Sequence, residues 1–434
     1  MDEAPSHLID VGQLRRGLFI ALDMGWMDHP FPRGRFKIAS DDQIRTIRAL
    51  GLSQVRYFPD QSDPPEQAEG FGDLAGAGAA ARGPAGMRAQ PGARDRLHAE
   101  AQTLCDQRRQ QLLIQQSSLR RCERRFGEAM QLYQRVLDEA AVRPVPMREQ
   151  CLALVAGCVA EILVDGEATI RLLSEGAGEL QAAHPVQVMV LALLLGRALG
   201  LPAQDLTTLG LAALLHDLGK QNLPERVRLD DERLGPDAQL LYRSHVQAGV
   251  QLGRRMGLPQ DALEAIAQHH EMADGSGFPA GLRGAEMGTG GKVLALVNRY
   301  DRLCNPPLLA QALTPHEALA RIFALHKACF DGEVLGAFIR MMGVYPPGSI
   351  VQLVNERYAM VVSVNSTRPL RPRVLVHDSA VAPEQALVLD LETAPELGIR
   401  RSLRAAQLPS AARAYLAPSA RVRCFYEQQR PTPA

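Results

Sequence analysis

Five of the eleven histidines in this 434-residue chain lie between His184 and His270, within apolar stretches that repeat with a helical period. Three of them fall in two tight clusters, His216-Asp217 and His269-His270-Glu271. Burying several imidazoles without shared partners is costly, so any fold of this segment must bring them together. Leu211, Leu214, Leu215 and Leu218 mark the buried stripe of one helix, with His216-Asp217 at its C-terminal end. Leu241, His245, Gly249 and Leu252 share a face of the next long helix, and Ile266, His269 and His270 share a face of a third. His184 precedes another apolar run. Imidazoles and carboxylates converging from several helices are what a helical protein uses to hold transition-metal ions. Taken singly, His184 or His245 reads more readily as a core histidine bonded to a backbone carbonyl. Five together point to metal.

Lys+Arg and Asp+Glu balance at 48 each. A formal net charge of zero argues against a nucleic-acid polymer or a membrane surface as partner. The start, Met1-Asp2-Glu3-Ala4-Pro5, lacks the layout of a signal peptide, and the run Val186 to Leu199 is too short to span a bilayer. The expectation is a soluble cytoplasmic protein. Seven irregularly placed cysteines without a Cys-x-x-Cys pair read as reduced thiols, with Cys151 and Cys158 in the core.

The pattern predicts a mainly α chain: a helical-bundle domain with a small α+β domain before it and a short β-rich segment after it. Residues 1–60 form the small domain, with strands within Leu8–Leu22, Arg35–Ile38 and Val55–Phe58 and a helix opened by the capping box Ser40-Asp41-Asp42-Gln43. Residues 61–96 read as a flexible Gly/Ala/Pro linker. Residues 97–146 read as one long exposed helix, a packing or homodimerising element. The main domain spans 147–342 and is almost wholly helical in pattern. Short strands follow in 343–408, and 409–434 is expected to be a poorly ordered tail.

His216-Asp217-Leu218-Gly219-Lys220 resembles the signature of the HD superfamily of metal phosphohydrolases. His269-His270-Glu271, followed by Asp274-Gly275-Ser276-Gly277-Phe278-Pro279, is similar to the HHE and GYP signatures of the HD-GYP subfamily, with Phe278 in place of tyrosine. The residues around His184 and His245 resemble the remaining ligand segments. Leu8 to Phe58, with Trp26 and Pro30-Phe31, looks like the small domain that often precedes such modules. Gly343-Val344-Tyr345-Pro346-Pro347-Gly348-Ser349 looks like the stretch that follows them. His377-Asp378, in a strand-like segment, reads as a chance pair.

The resemblance implies a phosphodiesterase that hydrolyses cyclic di-GMP to linear pGpG or GMP in bacterial second-messenger signalling. It implies two transition-metal ions, iron or manganese. His184, His216, Asp217, His245, His269 and His270 would be ligands, with Asp217 bridging and catalytic. Lys220 would meet the scissile phosphate as a catalytic and substrate-binding group. Gly275, Gly277, Phe278 and Pro279 would shape the substrate loop, where glycine lets the backbone approach a ligand.

Two departures stand out. The next ligand segment, resembling V-A-D-x-Y-D-A-L, reads Leu296-Val297-Asn298-Arg299-Tyr300-Asp301-Arg302-Leu303, so an amide occupies the metal-ligand position at Asn298. Asp301, three residues on, would replace it only if the helix shifted. The R-P-Y-R-like run is absent at Pro307-Leu308-Leu309-Ala310, and Leu180 stands where some members carry a carboxylate, with Glu179 out of register. Both argue against a third metal ion. They leave open a second reading, a catalytically impaired module that binds nucleotide or partner proteins as a scaffold.

Overall fold

A computed structural model describes residues 6–22, 35–49, 52–64, 91–164, 168–174, 180–228, 234–365, 370–394 and 396–428. Trp26, Pro30-Phe31, Glu179 and most of the expected linker lie outside them. The chain divides into two compact units, Met1–Gln115 with Asp378–Leu387, and Gln116–His377 with Val388–Ala434.

In the first unit, strands β1 (His7–Asp10), β2 (Phe19–Ala21), β3 (Arg35–Lys37) and β4 (Gln54–Tyr57) form an antiparallel sheet in the order β1-β4-β2-β3. Helix α1 (Asp41–Ala49) buries Ile44 and Ile47 in a core with Leu18, Ile20 and Val55. Ser40 Oγ accepts from Gln43 N, and Gln43 Oε1 accepts from Ala39 N, so the expected N-terminal cap is present.

Helix α2 (Pro91–Glu139) was expected as one exposed rod, and its C-terminal half departs from that. Phe126, Ala129, Tyr133 and Val136 recur at three- and four-residue steps and are buried in the core of the second unit. A turn then leads into α3 (Pro144–Ile162), whose Cys151 and Cys158 are buried as expected.

The second unit is a helical bundle with a sheet. Strand β5 (Ala168–Leu172) precedes α4 (Leu180–Ala198), α5 (Ala203–Leu215), α6 (Glu225–Arg228), α7 (Pro236–Met256), α8 (Gln260–Gln268), α9 (Thr289–Cys304), α10 (Pro315–Leu325) and α11 (Gly332–Met342). Helices α4 and α5 are apolar nearly all round because both lie inside the bundle. Strands β6 (Ile350–Leu353), β7 (Tyr358–Val364), β8 (Arg373–Val376), β9 (Val388–Asp390) and β10 (Ile399–Leu403) follow.

The expected tail instead holds α12 (Ser410–Leu416) and β11 (Cys424–Gln428). Ala412 and Leu416 of α12 are buried with Ile350 and Leu403, and β11 pairs antiparallel with β5 from Cys424↔Leu172 to Gln428↔Ala168. The seven-stranded sheet runs β10-β6-β7-β5-β11, with β8 on β7 and β9 on β8. A strand, β5, thus sits within the segment expected to be almost wholly helical. Its partner strand is far away in sequence, so local period gave no sign of it. Among the described residues no helix is long and apolar enough to cross a membrane.

Candidate metal centre

The ends of α5 and α8 and residues within α4, α7 and α9 build the centre. His216 caps the C-terminus of α5, Asp217 follows it, and Lys220 sits in the 3-10 turn Leu218–Asn222. Gly219 in that turn lies directly on α7. A Cβ there would stand 2.0 Å from the carbonyl oxygen of His245 and 2.5 Å from the nitrogen of Gly249. Only glycine permits this approach, which sets the His216-Asp217 pair beside His245. The buried face of α7 carries Tyr242, His245, Val246, Gly249 and Gly253, while Leu241 is exposed. The face is therefore turned slightly from the expected one, and His245 and Gly249 stay on it. His269 caps α8, and His270 comes next.

Four of the five imidazoles are fixed by the nitrogen that faces away from the centre. His216 Nδ1 contacts the Ala213 carbonyl at 2.7 Å, His245 Nδ1 that of Tyr242 at 2.5 Å, and His269 Nδ1 that of Ile266 at 2.6 Å. A nitrogen against a carbonyl must carry the proton, which leaves Nε2 as a neutral donor for metal. His184 achieves the same through Asp301, whose Oδ2 lies 2.5 Å from Nδ1.

The Nε2 atoms converge in two groups. His184 and His216 are 3.3 Å apart, as are His245 and His269. Asp217 lies between them. Its Oδ2 is 3.6 Å from both His184 and His216, and its Oδ1 is 3.7 Å from His245 and 3.6 Å from His269. His270 joins the second group, whose ligand atoms all fall within 4.8 Å of one another. Two donors about 2.1 Å from one ion stand about 3.0–3.4 Å apart, so these spacings sit at or just above what a shared ion requires.

The site is largely buried and incompletely satisfied. His216 and His245 are fully buried, and Asp217 nearly so. Burial holds His216 and His270 well below the ordinary histidine range and brings His245 down to about 3. Burial alone would raise Asp217, but Lys220 and His216 hold its carboxyl well below the usual carboxylate range. All four groups are thus in the metal-binding form near neutral pH. Asp217 Oδ1, His270 Nε2 and Asn298 Oδ1 are buried without a hydrogen-bond partner. Orphaned acceptors beside neutral imidazoles fit divalent cations.

Asn298 is buried on α9, its amide nitrogen 3.5 Å from the His269 carbonyl oxygen. Asp301 needs no helix shift to take part, because it orients His184 and leaves that ring's Nε2 toward the centre. Two cations also meet the carboxylate: Lys220 Nζ is 2.7 Å and Arg302 Nη2 3.3 Å from Asp217 Oδ2. Sequence reasoning passed over Arg302. The sign was its place four residues after Asn298, on the same helical face.

The loop after His270 is tied down by Glu271, a fully buried carboxylate to which the sequence reading gave no separate role. Its Oε1 accepts from Ala280 N at 2.7 Å and its Oε2 from Leu282 N at 2.9 Å. Gly275 has φ +84°, and a Cβ on Gly277 would stand 2.3 Å from Met272 N. The Phe278 ring stacks on His270 at 4.5 Å, with the Arg243 guanidinium 5.0 Å from its centroid. Phe278 thus packs on an imidazole of the centre, and Pro279 is exposed. Leu308 to Ala310 are exposed too, and the run from Pro307 to Ala310 has no cation to bring to this centre.

Comparison with known proteins places the histidine segment within a family. Residues 166–334 match the HD domain family, and residues 6–151 match a domain of unknown function, DUF3391. The second match runs well past the boundary expected at residue 60. The cyclic di-GMP phosphodiesterase PA4108 of Pseudomonas aeruginosa is 30% identical over 86% of this chain and 85% of its own length. A cyclic di-GMP phosphodiesterase of Thermotoga maritima is 28% identical over 40% of this chain and 47% of its own. Among solved structures, Bd1817, an HDG"Y"P protein from Bdellovibrio bacteriovorus, is 16% identical with a TM-score of 0.42, over 77% of this chain and 98% of that one. The match along nearly the whole length of PA4108, with the HD domain match across the histidine segment, shows that this chain belongs to the HD-GYP family.

Proposed function

We propose that the chain is a metal-dependent phosphodiesterase that hydrolyses cyclic di-GMP to linear pGpG or GMP, the class of reaction for which its relatives are named. The observation that carries this reading is Asp217, which turns one oxygen toward each of two histidine groups. A carboxylate so placed suits two adjacent cations.

In this reading His245, His269, His270 and Asp217 Oδ1 hold one ion, and His184, His216 and Asp217 Oδ2 hold the other. A set of imidazoles and one carboxylate, with no thiolate, allows iron or manganese, the metals the family resemblance implies. Bound ions supply Lewis acidity to a phosphate and lower the pKa of water. The chain's own residues do the rest. Lys220, largely buried beside Asp217, donates to a phosphate oxygen and offsets charge on the departing ribose oxygen. The carbonyl-bonded imidazoles keep the site rigid, and the bundle keeps bulk water out. Phe278 holds His270 in position, and the glycines of the loop let the substrate approach the backbone. Seven unbridged cysteines, six of them buried, fit a reducing cytoplasm.

The test measures metal content and cyclic di-GMP turnover on one anaerobically purified sample, separating pGpG from GMP. Bound iron or manganese with turnover that falls on chelation supports the reading. Binding of cyclic di-GMP without hydrolysis at any metal loading would replace it with the scaffold reading.

A further inference from the structure

The protein treats the two oxygens of Asp217 differently. Oδ2 receives Lys220 at 2.7 Å and Arg302 at 3.3 Å. Oδ1 is buried and receives no hydrogen bond. The Oδ1 side has three imidazoles, and His270 Nε2 among them is also buried without a partner. The Oδ2 side has two, and the His184 side chain is 18% exposed. Charge adds to the asymmetry. The carboxylates of Asp217 and Asp301 are matched by the cations of Lys220 and Arg302, while Asn298 brings none.

We propose that Arg302 is a resident competitor for the second cation. With Lys220 it holds the Oδ2 side of the centre, so the position of His245, His269 and His270 fills first and tightly. The position of His184 and His216 fills only when the guanidinium leaves Asp217. The physical reason is that Lys220 and Arg302 together take up both lone-pair directions of Oδ2, so a metal ion can bind there only when one of them leaves, and Arg302 makes the longer contact. Arg302 can leave without crossing the core, because its side chain retains 16% exposure. This inference rests on the metal reading above and adds an order of loading to it.

The experiment titrates the full-length, metal-stripped protein with Mn(II) alone under anaerobic conditions, following free ion by electron paramagnetic resonance. Wild type should show two steps, the second weaker by about tenfold or more, the scale of one charge-assisted contact. Arg302→Met should tighten the second step by about tenfold and leave the first within about twofold. Arg302→Gln gives a second reading should the methionine variant melt early. His270→Ala should remove the tight step and His184→Ala the weak one. Equal steps in wild type would overturn the inference, as would an unchanged second step in both Arg302 variants at wild-type melting temperature. If wild type takes up neither Mn(II) nor, in a parallel titration, Fe(II), the metal reading itself fails; if only the Arg302 effect is missing, this inference fails alone.

Discussion

Asp301 accepts from His184 Nδ1 at 2.5 Å, and it does so from the same helix that carries Asn298. The carboxylate that stands nearest in sequence to the missing ligand therefore orients a ligand. Partners of this kind are worth roughly 10–100-fold in metal affinity. Asp301→Asn should weaken the weaker metal step by about that factor while the tight step is unchanged. Mn(II) titration of the variant checks this, and equal weakening of both steps would count against it.

Asn298→Asp should raise metal occupancy and phosphodiesterase rate together. The amide oxygen is already buried without a partner, and a carboxylate would add a charge facing the dications. The gain expected is about tenfold in retention against a chelator, the scale of one charged ligand contact. An unchanged occupancy and rate, with good turnover in wild type, would make Asn298 an adequate ligand as it stands.

Glu271→Gln should act on substrate more than on metal. Two backbone N–H groups donate to its carboxylate, and the amide would present an NH₂ group to one of them. The loss is about 1.5–3 kcal/mol of loop anchoring. KM should rise severalfold with metal content at the wild-type value. Loss of metal in step with activity would mean that the loop supports the centre instead.

Gly219→Ala should disrupt the centre from a distance. Its Cβ would fall 2.0 Å from a backbone oxygen on α7, which cannot rotate away as a side chain can. Overpacking of this kind costs about 1–3 kcal/mol or more. Thermal melting should drop and both metal steps weaken, because His216-Asp217 and His245 are forced apart.

Stability of the metal-free protein should fall with acid. Burial lowers His245 to about 3 and holds His216 and His270 below their ordinary value. Unfolded, each titrates near 6.5, so as pH falls below that the unfolded chain binds protons that the folded chain refuses, for His245 down to about 3. The contribution is complete above about pH 6.5 and for His245 shrinks by up to about 1.4 kcal/mol per pH unit as pH falls, with His216 and His270 acting in the same direction. Urea unfolding of stripped protein at pH 7 and pH 5.5 measures this. A midpoint that does not drop at pH 5.5 would show the imidazoles to be solvated.

Much of the centre was legible because its residues are local: His216-Asp217 and His269-His270 end helices whose apolar period is plain. His245 and Gly249 followed from four-residue spacing. What escaped the sequence depends on contacts between distant segments. Arg302 was passed over, because the carboxylate it meets, Asp217, lies 85 residues earlier on the turn after α5. The small domain's strands and helix were legible from alternation and a cap. Strands β5 and β11 were not, since each is short and finds its partner across the whole bundle. Nor was the burial of α2 after Cys122, because a stripe on a polar helix declares a face without naming what covers it.

The pairing of β11 with β5 has a consequence for the order in which the protein is made. Gln187, on the helix that carries His184, accepts through Oε1 from Cys424 N, 237 residues later. The histidine-bearing helices leave the ribosome well before the strand that closes their sheet. During that interval the first ligand helix lacks a neighbour it will keep, and the cluster takes its final geometry only once Cys424 has been made and docked. Metal would therefore be acquired after that strand docks, not while the histidine helices first emerge.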